Sequence, residues 1–400
     1  MARQRTDAEQ QIADLLRTAR TSLQMSVAFL SRMDGTTQTF EVVDSRVPVL
    51  FRDGTTARQD TSFCQKILDG DLPPVIDDVK KYPLAMSLPA ARLPRIRSYV
   101  STPVTLSDGS LYGTFCAFGF TSDKELTGRD EALMEVLASA ASVIIEPEIR
   151  EQQRRDAIDG RLEPLVTAGG PSVVLQPIVD LTTGTRVGAE ALSRFPREWG
   201  KAPDVVFEEA HSIGRGHEVE LLALRGAAAH LDRVDGYVAM NVSPQTLLTP
   251  QFTTLMRDLP LDRVLLELSE HDRVEDYAAL TATLAPFRAA GMRLAIDDVG
   301  AGFSSLRHIV VTDPDVIKMD RSIVSGADTD PVLTRLVESL VTFGHGCGVT
   351  VVAEGIETAA EAAALREMGV DLGQGWYYGR PGPPEALAPV APLYPLAQPA

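Results

Sequence analysis

Arg293-Leu294-Ala295-Ile296-Asp297-Asp298-Val299-Gly300 is an apolar run that stops on two adjacent carboxylates. A short apolar run of this kind reads as a strand buried on both faces. Acids at its end need a partner for their charge, because an isolated buried carboxylate is costly. The pattern recurs in Ala189-Glu190-Ala191-Leu192-Ser193-Arg194, in Leu265-Leu266-Glu267-Leu268-Ser269-Glu270 and in Val351-Val352-Ala353-Glu354-Gly355-Ile356-Glu357. Five carboxylates, Glu190, Glu267, Asp297, Asp298 and Glu354, thus sit in short strand-like segments. Two of them about 4 Å apart would repel by ~4 kcal/mol at an effective dielectric near 20. Convergence of all five calls for a neutralising species, and hard divalent cations with oxygen ligands suit such a donor set.

Outward from these segments, strand patterns fall near 173–178, 186–194, 237–243, 264–270, 293–298, 315–320, 349–354 and 371–378. Helical patterns lie between most of them, as in Glu218 to His230, Pro331 to Gly344 and Ala359 to Met368. Asp330 is the expected N-cap of the second, with Pro331 at its first position. Eight strands with intervening helices predict an α/β fold, a (β/α)₈ barrel of the TIM type. Catalytic groups of such barrels come from the C-terminal ends of different strands. Those ends carry Glu190, Asn241, Glu267, Asp297 with Asp298, Lys318, Glu354 and Gln374, in strand order from the second to the eighth. A lone carboxylate is usually a surface or capping group. A polar residue on each of seven consecutive strands is not explained that way.

The first part of the chain reads differently. Residues 7 to 30 are expected to be helical, with Ile12, Leu15, Leu16, Ala19, Leu23 and Val27 on one stripe. Thr39-Phe40-Glu41-Val42-Val43 alternates, and Asp53-Gly54 marks a turn. Segments 99–104 and 111–118 flank Asp108-Gly109 as a hairpin, with Pro103 pointing to an edge or a bulge. A helix from about Gly128 runs past Pro147 to near Arg161. Ser62-Phe63-Cys64, Val75-Ile76-Asp77-Asp78 and the two hairpin strands resemble a GAF domain, a small α+β sensory module, over residues 8–148. Residues 149–171 form the expected helical connector, which reads equally as a transmitting element or a plain spacer. Ala168-Gly169-Gly170-Pro171 closes it. The barrel covers 172–385. The chain from Pro381 onward, and the Pro/Ala-rich stretch 386–400 above all, is expected to fray.

Composition narrows the functional classes. Four hundred residues with 44% apolar content support two domains with real cores. A net charge of −17 argues against DNA or RNA binding over the general surface, while leaving room for an anionic substrate beside bound cations. The three cysteines, Cys64, Cys116 and Cys347, have no metal-type spacing and argue against a disulfide scaffold. With no apolar signal core and no span of about 18 apolar residues, the expectation is a cytoplasmic protein without membrane insertion. The six histidines show no paired spacing and read as helix-surface or loop residues. Cys64 and Cys116 read as buried thiols, and neither has the adjacent His that a tetrapyrrole attachment site usually has.

Residues 172–385 resemble an EAL domain, the cyclic-di-GMP phosphodiesterase family. The blocks that carry the resemblance are Gln176-Pro177-Ile178, Glu190-Ala191-Leu192, Asn241-Val242-Ser243, Glu267 with Glu270, Asp297-Asp298, Lys318 with Asp320, Glu354-Gly355-Ile356-Glu357 and Gln374-Gly375-Trp376. The resemblance implies a modified barrel whose first strand runs antiparallel to the others. It implies two Mg²⁺ or Mn²⁺ ions, one on Glu190, Asn241, Glu267 and Asp297, the other on Asp297, Asp298 and Glu354. It further implies hydrolysis of cyclic-di-GMP to pGpG, with Lys318 orienting the nucleophilic water or stabilising transition-state charge. Gln374 and Gln176 would serve the substrate side, and Arg194 would offer a fork to a phosphate. Glu270 would anchor the loop after Asp298, where Val299 and Ala301 replace the family's usual Phe and Thr. Glu357 would orient a ligand or Lys318. A homodimer regulated through an unknown GAF ligand or signal completes the expectation. The alternatives are a degenerate domain that binds cyclic-di-GMP without cutting it, and a barrel hydrolase acting on another phosphodiester.

Overall fold

The computed structural model describes residues 5–47, 51–92, 95–122, 126–269, 271, 273–300 and 305–387. The chain divides into two compact units, Met1–Arg154 and Arg155–Ala400.

The first unit is built on a six-stranded sheet of β1 (Val27–Met33), β2 (Thr37–Ser45), β3 (Thr55–Arg58), β4 (Val75–Ile76), β5 (Ser98–Thr105) and β6 (Leu111–Gly119), in the spatial order β3-β2-β1-β6-β5-β4. Alternate side chains face opposite sides. Ala28, Leu30, Phe115 and Ala117 pack with Ile12, Leu16 and Met134 of the long helices, while Phe29, Tyr99, Cys116 and Phe118 pack with Phe63, Cys64 and Leu72 on the other face. The first helix is Asp7–Ser22, started by a Thr6–Glu9 capping box. It does not reach residue 30 as expected. Gln24 takes φ +52, the chain turns, and Val27 opens a buried strand. Apolar residues four apart at 23 and 27 fit either reading, so the periodicity ran on past the real end. Pro103 is exposed on β5 beyond its two paired positions with β4, and the ladder to β6 shifts register at Val104/Thr105. A 40-residue helix, Gly128–Thr167, follows, longer than the expected end near Arg161.

In the second unit β7 (Ser172–Asp180), β8 (Arg186–Arg194), β9 (Tyr237–Asn241), β10 (Val264–Ser269), β11 (Arg293–Val299), β12 (Val316–Met319), β13 (Thr350–Ala353) and β14 (Leu372–Gln374) close into a barrel. β7 is antiparallel to both β8 and β14, and the other neighbours are parallel. Valine, isoleucine and leucine dominate the strands because both faces are covered. Register sets the rim: Gln176 pairs with Glu190, Glu267 with Asn241 and Ala295, and Ser269 with Asp297. Asp330 caps the helix Pro331–Gly346 through the Val332 amide, with Pro331 at its start. The last strand is shorter than the expected 371–378. It stops at Gln374, where the backbone turns to bond Ile356, Ile356 N–H donating to the Gln374 carbonyl and Tyr377 N–H to the Ile356 carbonyl, each at 3.0 Å. Gly375 between them passes so close that a Cβ there would sit 2.1 Å from the Ile356 carbonyl oxygen. Residues 381–387 are also not frayed. Gly382 exchanges backbone hydrogen bonds with Leu175 at 3.0 and 2.8 Å, and Arg186 donates to the Leu387 carbonyl at 2.6 Å. The rest of the expected tail, 388–400, lies outside the described residues.

Candidate metal and phosphodiester site

Strands β8, β10, β11 and β12 and the turn after β13 bring Glu190, Glu267, Asp297, Lys318 and Glu354 into one buried cluster. Glu190 lies in the middle of β8 and not at its end, because β8 runs on to Arg194 beside the antiparallel β7. Lys318 on β12 is the hub. Its Nζ lies 2.6 Å from Glu354, 3.0 Å from Glu267, 3.1 Å from Asp297 and 3.7 Å from Glu190. Four carboxylates around one ammonium leave net negative charge in a water-poor site. The groups respond by shifting their proton affinities. Burial, aided by neighbouring acids and opposed by Lys318, raises Glu267 well above the usual carboxylate range and raises Asp297; in the same way it pushes Glu354 up to about 8. Burial acts on Glu190 too, but Lys318 and hydrogen bonds from Gln374 and Asn241 outweigh it and hold that acid low. Burial opposes the Lys318 charge, yet Asp297, Glu190, Glu267 and Glu354 together keep its proton affinity well above the ordinary lysine value.

The other expected residues fall around this hub. Asn241 Nδ2 donates to Glu190 at 3.0 Å, and Gln374 Nε2 donates to Glu190 at 2.5 Å and to Gln176 Oε1 at 3.1 Å. Asp298 adopts φ +59, a left-handed conformation that Asp tolerates better than most residues. The β11–β12 ladder shifts register between Ile296 and Val299 at the same point. This kink sets Asp298 beside Asp297 at the end of the strand.

A pocket of about 320 Å³ opens above the cluster, bordered by Gln176, Glu190, Asp297, Glu354, Gln374 and the half-exposed Trp376. A neighbouring cleft of about 450 Å³ is lined by Arg194, Asn241, Glu267 and Ser243. Arg194 therefore borders this cleft instead of the first pocket, with its Nη1 bonded to the Ser193 carbonyl at 2.9 Å. Glu357 pairs with Arg321 at 2.8 Å, not with Lys318 or one of the clustered acids. Glu270 and the loop residues Ala301 to Ser304 lie outside the described residues.

Two acid groups have oxygens close enough to share an ion: Glu190, Glu267 and Asp297, and Asp297, Asp298 and Glu354, each within 4.8 Å. Asp297 belongs to both. Neither Glu267 oxygen has an aligned hydrogen-bond donor among the described residues, although both are fully buried. Lys318 faces Oε1 by charge alone. A buried carboxylate left without donors is what an oxygen-seeking cation would satisfy, so the donor set fits hard divalent ions. No histidine enters either group. His211 bonds Glu220, and His345 meets Asp371 at 3.0 Å.

Glu220 was not among the expected site residues. It is buried on the helix Gly216–Ala228 and accepts from the Ser243 amide and hydroxyl at 3.0 and 2.8 Å, fixing the turn just after Asn241. The signal available in sequence was an acid inside the otherwise apolar Val219-Glu220-Leu221-Leu222. Arg321, beside the first pocket, carried no such signal.

Residues 159–381 match the model of the EAL domain, and residues 6–146 that of the GAF domain. The Escherichia coli K12 protein called "Probable cyclic di-GMP phosphodiesterase PdeB" is 30% identical over 238 residues, which is 56% of this chain and 45% of that protein. The chain thus spans less than half the length of that relative. The EAL domain protein of Listeria monocytogenes EGD-e superimposes with a TM-score of 0.51 at 23% identity, covering 57% of this chain and 95% of that one. The FimX EAL domain of Xanthomonas citri, solved in complex with c-diGMP, gives 0.52 at 19% identity over 58% of this chain and 96% of that one. These two likenesses concern the fold. With more than half of its length matched, the chain belongs to the EAL domain family.

Proposed function

We propose that this EAL family member hydrolyses cyclic-di-GMP to linear pGpG in a metal-dependent reaction controlled by its N-terminal GAF unit. The observation that carries the reading is the cluster of Glu190, Glu267, Asp297 and Glu354 around Lys318, with Asp297 common to two ion-sized groups of acids. The name of the Escherichia coli relative supports the substrate. Glu190, Asn241, Glu267 and Asp297 would hold one Mg²⁺ or Mn²⁺, and Asp297, Asp298 and Glu354 a second. When bound, such ions supply Lewis-acid polarisation of a phosphoryl oxygen and a water acidic enough to act as nucleophile near neutral pH.

The chain's own groups do the rest. Lys318 is a cation held charged by its surroundings, so it orients the attacking water and offsets charge building on the phosphoryl oxygens. Gln374, which donates to Gln176 and to Glu190, and Gln176, which donates to the Gly379 carbonyl, fix the pocket wall against which the dinucleotide lies. Arg194 offers a guanidinium to its phosphate from the neighbouring cleft. Glu357 works one step away, by holding Arg321. In this reading 8–148 is the sensory part, 149–171 the connector and 172–385 the catalytic part, with the chain acting as a homodimer.

The test is direct. Purified protein is incubated with cyclic-di-GMP and Mg²⁺ or Mn²⁺, and the products are separated by chromatography. Linear pGpG that disappears with chelator supports the proposal. Tight binding without a linear product would instead assign the chain as a receptor.

A further inference from the structure

In the first unit, one face of the sheet carries a buried polar seam within an aromatic layer. Cys64, on the short helix Phe63–Leu68, and Cys116, on β6, are 52 positions apart in sequence, and their sulfurs are 3.3 Å apart. Both residues are almost fully buried. Gln38 Nε2 donates to Cys64 Sγ at 3.0 Å and to Ser31 Oγ at 2.8 Å, while the Tyr99 hydroxyl lies 3.0 Å from the same sulfur. Ser101 Oγ is 3.1 Å from Cys116 Sγ. Polar groups are not left in such a layer without partners, and here the donors converge on one sulfur. Burial works to raise the Cys64 thiol, but bonds from Cys116, Thr114, Tyr99 and Gln38 outweigh it and bring it to about 7. Cys116 moves the other way, upward, through burial and its neighbour. One thiol is thus set to be the nucleophile and the other to hold its proton until needed.

We propose that Cys64 and Cys116 form a reactive dithiol that a hydroperoxide converts to an intramolecular disulfide. A cavity of about 290 Å³ lies beside the seam; its wall includes Gln38 and Tyr99, the two side chains that bond Cys64, but neither cysteine, so a peroxide reaches the sulfur when one of these two side chains swings aside. The Cys64 thiolate attacks one peroxide oxygen. The O–O bond breaks, the alcohol or water leaves with the thiol's proton, and Cys64 becomes a sulfenic acid. Cys116 then attacks the Cys64 sulfur. The S–O bond breaks, a second water leaves with the Cys116 proton, and the S–S bond forms. Two thiols lose two electrons and the peroxide gains them. Closing 3.3 Å to the disulfide length of about 2.05 Å asks for side-chain rotation of little more than an ångström. Oxidation also removes the thiolate that Gln38 and Tyr99 share, so the cavity wall exposes two donors in the oxidised form that the reduced form occupies.

The experiment uses the full chain with the exposed third cysteine removed, Cys347→Ser, which leaves the pair as its sole thiols. It is treated with hydrogen peroxide at a dose that oxidises Cys347 in the parent chain. The expected result is a monomeric band on a non-reducing gel, an intact mass lower by two hydrogen atoms, and loss of both thiols to alkylation after unfolding. Dithiothreitol should restore both, and peptide mapping should join the Cys64 and Cys116 peptides. Two alkylatable thiols after treatment, or oxygen-bearing cysteines with no joined peptide, would overturn the proposal. So would a disulfide between chains.

Discussion

Replacing Lys318 with methionine keeps the buried volume close to the parent and deletes the charge that holds the acid cluster together. At 2.6 to 3.7 Å from four carboxylates, each attraction is worth about 5 kcal/mol at an effective dielectric near 20. The sum overstates the loss, because Glu267, Asp297 and Glu354 already favour protonation and will take up protons when the lysine goes. Removing one partner of a buried ionic cluster costs about 3–5 kcal/mol. In a unit of this size that is a drop of about 6–20 °C in melting temperature. The loss belongs to the metal-free protein, since divalent cations can take over the compensation that Lys318 provides. Melting should therefore be followed in chelator and in Mn²⁺. Lys318→Met should melt well below the parent in chelator, and Mn²⁺ should recover most of the gap. Hydrolysis of cyclic-di-GMP in Mn²⁺ should still fall by about 10²–10³-fold, the usual cost of one lost electrostatic contact to the transition state. Equal melting in chelator together with parental turnover would refute the assignment of Lys318 as hub.

Glu267→Gln removes a buried acid that has no aligned donor and keeps its shape. In chelator this variant should melt no lower than the parent, whereas the stabilisation by Mn²⁺ should shrink sharply; a full Mn²⁺ response would remove Glu267 from the ligand set. The pH dependence follows from Glu354, pushed up to about 8 from an ordinary value of 4.5. Between these values the folded chain holds a proton that the unfolded chain has released, so this group's contribution to stability falls as pH rises through the window. Chelated protein should lose melting temperature between pH 6 and pH 8, and the gain from Mn²⁺ should grow over the same range because the ions replace protons. A Mn²⁺ gain that is flat with pH would contradict that exchange.

The barrel was legible because its signals are periodic. Apolar runs ending in acids mark where strands stop, and the helices between them carry caps such as Asp330-Pro331. The acid cluster could be named for the same reason: seven consecutive strand segments each carry a polar group in or just after an apolar run, and the barrel turns those groups to one rim. Sequence said less wherever a contact joins positions with no fixed spacing. Cys64 and Cys116 meet across 52 residues, Glu220 reaches Ser243 from another helix, and Glu357 turns to Arg321, none of which periodicity encodes. Val27 was misplaced for the opposite reason. Four-residue apolar spacing continued the helix pattern on paper, while the turn at Gln24 sent the chain into a strand. The stretch that contains Leu387 is rich in proline and alanine and reads as a frayed end, yet one guanidinium, Arg186, is enough to hold the Leu387 carbonyl.

The site and the scaffold pull in opposite energetic directions. Crowding Glu190, Glu267, Asp297 and Glu354 onto one lysine disfavours the anionic forms of Glu267, Asp297 and Glu354 in the metal-free chain, and a barrel selected for stability alone would place apolar side chains there. The surrounding strands supply the compensation. Leu266, Leu268, Ile296 and Ile317 next to the acids are all but inaccessible to water, so the core that the acids weaken is otherwise densely apolar. That same dryness keeps the cluster's charges unscreened. A rim so arranged is poor at holding itself together without cations and strong at attracting them, and this asymmetry is what the proposed ion-assisted chemistry requires of it.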